Sequence, residues 1–121
     1  MHALRLSMTL IALMVGTVTA RAETLTPDDA ARHAGETATV CGVVAGAKYA
    51  AQIRGGLTFI DFGKPYPDAT FTAMIFAADR PKFGTPERGL AGKQVCVTGK
   101  IEMFRGKPEI VLTDPKQLAV K

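Results

Sequence analysis

Phe104, Arg105, Gly106 and Lys107 place an aromatic ring and two cations side by side. They interrupt the apolar stretch MFRGKPEIVL, which reads as the end of one strand, a turn over Arg105, Gly106 and Lys107, and the start of another. At a hairpin tip a guanidinium and an ammonium can hold phosphate oxygens while a ring offers a face for a base. The same residues also describe an ordinary solvated turn, since tips are polar in most proteins. An Asn-Gly pair would have closed such a turn more simply.

Other chemistry is thinly represented. His33 is the one histidine outside the first 22 residues, so a metal site or a histidine-based dyad has no second histidine to build on. Asp61, Asp68 and Asp79 could be assembled into a carboxylate cluster, but no nucleophile or ligand spacing accompanies them. The expectation is a protein that is not an enzyme and needs no cofactor and no metal.

The segment MHALRLSMTLIALMVGTVTARA has the parts of an export signal: basic Arg5, an apolar run from Leu6 to Val18, and Ala20-Arg21-Ala22 as a small-x-small cleavage site. The run is too short for a permanent span. Residues 1–22 are therefore expected to be a signal peptide and 23–121 one small domain, periplasmic or secreted. Without Arg5 and Arg21 the 15 basic residues become 13, against 11 acidic ones, a net charge of +2. A domain so nearly neutral can carry a basic patch but has no strong overall field for polyanions.

Cys41 and Cys96 both survive that processing, and in an oxidising compartment an even pair normally closes. Closing that loop would stabilise a small core by up to roughly 4 kcal/mol on chain-entropy grounds. A redox or metal role for the two thiols lacks a Cys-x-x-Cys spacing or neighbouring ligands.

LTPDDAARHAGE predicts a short α-helix of about two turns. Thr26 would be its N-cap, Pro27 its first residue, Asp28 and Asp29 its acidic first turn, and Gly35 its exit. From Thr37 the period becomes two. TATVCGVVAG sets Ala38, Val40, Gly42 and Val44 on one face; KQVCVTGKIEMF sets Val95, Val97, Gly99, Ile101 and Met103 on another. Glycine inside each strand implies a sharp bend or a close approach, as in a small closed sheet. LTFIDF, TFTAMIFA and PEIVL supply three further strands, KYAAQIRGG is expected as the first interstrand loop, and Leu118 and Val120 of the tail are expected to dock on the barrel.

A short helix and five strands make a five-stranded barrel, and here the chain resembles exported bacterial OB-fold domains of the nucleic-acid-binding, tRNA-anticodon-binding-like type. The resemblance runs from GETATVCGVV through GLTFIDFG, TFTAMIF and LAGKQVCVTGKI to GKPEIVL. It implies that the first and fourth strands are antiparallel neighbours, which would bring Cys41 beside Cys96. It further implies a ligand surface on the second and third strands, flanked by the first loop and the last hairpin. Carried onto this chain, that surface draws on Lys48, Tyr49, Arg54, Phe59, Tyr66, Phe104, Arg105 and Lys107, with Phe62, Phe71 and Phe76 as further rings in reach. The implied function is weak, low-specificity binding of single-stranded nucleic acid or a similar polyanion. The alternative is a periplasmic module for a protein, small ligand or envelope component, without nucleic acid.

Overall fold

The computed structural model describes residues 23–121, and the expected signal peptide lies outside the described residues. Seven strands form one sheet: β1 (Glu23–Leu25), β2 (Thr37–Ala50), β3 (Leu57–Phe62), β4 (Phe71–Phe76), β5 (Gln94–Phe104), β6 (Lys107–Val111) and β7 (Leu118–Val120). Their order is β1-β2-β3-β4-β6-β5-β7, and an additional β2–β5 pairing turns the five longer strands into a ring. The ring is uneven, because parallel β4 and β6 share only a short ladder, Thr72 to Met74 against Glu109 to Val111. Beyond the five expected strands, β1 pairs parallel to β2 and β7 pairs antiparallel to β5. Three residues are too few to show a period, which is why neither strand is visible in the sequence.

The expected α-helix is a 3-10 helix, Pro27–His33. Thr26 does occupy its N-cap position, but its hydroxyl donates to the Asp29 carboxylate at 2.8 Å and accepts from no backbone amide, so the side chain makes no cap. Ala30 is its one buried residue, so little packing is available to sustain a longer helix. At its exit Gly35 donates its amide to the Ile101 carbonyl, 2.7 Å away, which ties the helix to β5.

Period-two patterning fills the inside of the ring. Val40, Val44, Ile60, Phe62, Phe71, Ile75, Val95, Val97, Ile101, Ile110 and Leu112 are all buried in one cluster. Phe62 and Phe71, which the sequence offered as possible ligand rings, are spent here, with ring centroids 5.4 Å apart. The interior glycines serve close approach by side chains. A Cβ on Gly42 would stand 2.7 Å from Pro27 Cγ, and one on Gly99 would stand 2.7 Å from Ile110 Cγ2. Leu118 packs against the core, whereas Val120, expected to dock, is exposed.

Cys41 and Cys96 are register partners across β2 and β5 and form a disulfide, with Cα atoms 4.1 Å apart. The pairing joins the two longest strands, closing the ring covalently where it also closes by hydrogen bonds. Among the described residues no helix is long and apolar enough to cross a membrane.

Candidate ligand-binding groove

Strand β2 runs past Gly46 through a bulge between Val44 and Gly46 and ends only at Ala50. Lys48 and Tyr49 therefore lie on a strand and not, as the sequence suggested, in a loop; the loop proper is 51–56. Adjacent strand residues face opposite ways, so the two separate. Lys48 Nζ sits 5.2 Å from the centre of the Tyr66 ring. Tyr49 instead lies under the Arg80 guanidinium, 3.9 Å from its ring centre, and Arg80 is held by Glu87 at 2.5 Å. Tyr49 thus anchors the segment after β4 and does not line the groove described next.

The outward faces of β3, β4 and β6, with the end of β5 and both flanking loops, enclose a groove of about 550 Å³. Arg54, Phe59, Tyr66, Phe104, Arg105 and Lys107 all line it. Lys48 lines a smaller pocket of about 30 Å³ that shares Ile53, Phe59 and Tyr66 with the groove. The structure therefore gathers six of the eight sequence-selected residues around one concavity, puts Lys48 at its margin and leaves Tyr49 outside.

Strand register sorts the floor into rows. Phe59 on β3, Met74 on β4 and Val111 on β6 are successive partners and make an apolar row, with Lys48 as the β2 partner of Phe59. Two residues along, about 7 Å away at strand rise, Asp61, Thr72, Glu109 and Glu102 are successive partners across β3, β4, β6 and β5. Asp61 is only 3 % exposed and accepts the Thr72 hydroxyl at Oδ1, 3.0 Å away. Burial pushes its carboxyl above the usual carboxylate range, against the pull of the Thr72 bond and of Lys107 and Lys48. Burial likewise raises Glu109, helped by the charge of Glu102 opposite and resisted by Arg54.

The rim carries the cations. Phe104 and Lys107 are the last pair of the β5–β6 ladder, so Arg105 and Gly106 alone make the turn, with φ of 50° and 78°. Both values are left-handed, as a two-residue hairpin turn of this hand requires, and an asparagine normally takes the first position. Arg105 reaches back to within 5.2 Å of the Phe104 ring centre. Arg54 has the same left-handed backbone, φ 45°, at the tip of the 51–56 loop. Lys107 Nζ donates to the Pro67 carbonyl and so pins the proline-rich 63–70 loop, on which Tyr66 is 63 % exposed.

The carboxylate row was missed by sequence reasoning, although the signal was present. The period-two patterns that bury Ile60, Phe62, Phe71, Ala73 and Ile75 necessarily turn Phe59, Asp61, Thr72, Met74 and Phe76 outward. No sequence pattern could have shown that Glu102 and Glu109 face each other, which depends on the length of the hairpin turn.

No protein-family model matches the chain, and no curated protein sequence matches it. Solved structures similar in fold include the following two. A putative aspartyl-tRNA synthetase from Leishmania major Friedlin superposes with a TM-score of 0.59 at 10 % identity, over 87 % of this chain and 22 % of that one. OBody AM1L10, in its complex with hen egg-white lysozyme, superposes with a TM-score of 0.57 at 14 % identity, over 84 % of this chain and 95 % of the OBody. This chain spans about a fifth of the synthetase. The mainly-β, OB-like fold is the same; identities this low carry nothing further.

Proposed function

We propose that the chain is an exported, disulfide-stapled OB-like binding module whose groove takes single-stranded nucleic acid, without catalysing a reaction on it. The observation that carries the reading is the placement of Arg54 and Arg105, two arginines held in left-handed backbone on two different loops that line one groove, together with the Phe59, Tyr66 and Phe104 rings in the same lining. Phosphates tracked by the rim would let bases lie on the rings and the apolar row, each stacked base contributing about 1 to 3 kcal/mol. Export is supported by the signal-like leader and fits a cross-strand disulfide. One of the similar folds belongs to a tRNA synthetase, which lends the reading an analogy and no more.

A second reading has its own observation. Asp61, Glu102 and Glu109 bring as many anions into the groove as Arg54, Arg105 and Lys107 bring cations. A mixed-charge concavity also suits a protein partner, and the similarly folded OBody is itself bound to a protein, hen egg-white lysozyme.

Fluorescence anisotropy of labelled single-stranded DNA and RNA, titrated with the purified protein at low and moderate salt, separates the two. Saturable binding that weakens with salt and is lost in Arg54→Ala/Arg105→Ala is the expected result. No binding of either strand at low salt would reject the nucleic-acid reading and leave the protein-partner one.

A further inference from the structure

Tyr66 is the most exposed of the large hydrophobic side chains among the described residues, yet the loop beneath it is tied down. A ring that merely sits on a solvated loop needs no such fastening. Thr70 donates its amide to the Phe62 carbonyl at 3.0 Å and closes the base of the 63–70 loop, and inside it Asp68 donates to the Pro65 carbonyl at 3.0 Å. Pro65 and Pro67 have no N–H to give. At the tip, Lys107 reaches across from the β5–β6 hairpin and donates from Nζ to the Pro67 carbonyl. The Tyr66 backbone in turn hydrogen-bonds the Asp61 carboxylate on β3. Backbone groups on either side of the Tyr66 ring are thus held from two different strands, β6 and β3. Above them, Lys48 Nζ lies over one face of the ring, 5.2 Å from its centre.

Resting on the single-strand reading above, we propose that Tyr66 is a preformed platform for one base, and that Lys107 is a positioning residue that holds the ring through Pro67 and does not contact phosphate. A base gains most from a ring whose place is already fixed, because the cost of ordering the loop is met on folding and not on binding. Lys48 covers one face of the ring, so the base takes the other. The same ring lines the groove, beside Pro67 and Lys107. The cations of the groove then divide by role. Lys107 already has an acceptor in the protein, and Arg54 and Arg105, on their two loops, are the phosphate contacts.

The test is a double-mutant cycle on the purified protein, read by the anisotropy of labelled oligo-dT over a series of salt concentrations. Tyr66→Ala and Lys107→Met should each weaken binding about fivefold or more, and the double variant should bind no more weakly than Tyr66→Ala alone. The slope of log affinity against log salt should be the same in Lys107→Met as in the unmodified protein, because a lost phosphate contact lowers it by about 0.7. Arg105→Ala supplies that lowered slope as a reference. Circular dichroism establishes that the variants are folded. Lys107→Gln, which keeps a donor for Pro67 without the charge, gives an independent second reading and should bind more tightly than Lys107→Met. Additive losses, a lowered slope in either Lys107 variant, or no recovery in Lys107→Gln overturns the inference and leaves the single-strand reading standing. Tyr66→Ala binding as tightly as the unmodified protein overturns it likewise. Failure of the unmodified protein to bind removes the single-strand reading itself, and this inference with it.

Discussion

Arg54 and Arg105 adopt the same left-handed backbone, φ 45° and 50°, and among the described residues no other side-chain-bearing residue does so. They stand on two different loops and line one groove. Left-handed backbone costs an L-residue about 1 to 2 kcal/mol, less for asparagine and nothing for glycine. Two such costs around one groove are what a binding site would retain and a stability-optimised turn would not. Arg105→Gly should therefore raise stability by about 1 kcal/mol in urea unfolding while weakening oligonucleotide binding. A variant that loses stability would show that Arg105 is held there for a structural reason.

Glu109 and Asp61 make an analogous prediction with pH. Both carboxyls are raised by burial, Glu109 further by Glu102, against Arg54 in its case and against Thr72, Lys107 and Lys48 in that of Asp61. A raised carboxyl binds its proton more tightly in the folded chain than in the unfolded one. Its contribution favours the fold below the ordinary carboxylate range, near pH ~4, and is lost as pH rises through the folded value. Asp29 is lowered, chiefly by the Thr26 hydroxyl, and works in the opposite sense, but it is exposed and screened. Glu109→Gln should accordingly gain thermal stability relative to the parent at neutral pH and lose that advantage toward pH ~4. An advantage independent of pH would contradict the assignment.

The interior glycines should not tolerate a methyl group. Gly42→Ala meets Pro27 and Gly99→Ala meets Ile110, each at 2.7 Å from the new Cβ. Overpacking of this kind costs about 1 to 3 kcal/mol, readable as a lower urea midpoint. A neutral Gly99→Ala would mean that Ile110 can give way and that ring closure is looser than its register implies.

Removal of the disulfide by Cys41→Ser should cost about 2 to 4 kcal/mol. The bridge spans 55 positions and joins β2 to β5 at the ring's closure, so its loss frees the unfolded chain over half the domain. A parent and variant of equal stability would show that the bridge adds nothing to a closure already made by hydrogen bonds.

How much of this was legible beforehand follows from what each signal measures. Alternation over TATVCGVV and KQVCVTGKI placed Val40, Val44, Val95 and Val97 inside correctly, because burial on one face of a strand writes a period of two into the sequence. Glycines at 42 and 99 flagged close approach, although the approaching groups are side chains. The sequence locates the Pro27–His33 helix but not its 3-10 type, since capping residues mark where a helix starts and not which hydrogen bonds continue it. Ala-Lys-Tyr-Ala has no strong alternation, so at Lys48 and Tyr49 the sequence reads as a loop, and only the ladder to β3 shows that the strand continues. Rows such as Asp61-Thr72-Glu109-Glu102 are set by register, which no single strand records.

The most direct test of the groove as a single-strand site is a two-dimensional amide NMR titration of the labelled protein with a short single-stranded oligonucleotide at low salt. The account predicts shifts concentrated in the outward residues of β3 and β4, the 51–56 loop and the Phe104–Lys107 hairpin, with β1 and β7 unmoved. Shifts gathered instead around β1, β7 and the disulfide face, or no shifts at saturating oligonucleotide, would contradict it.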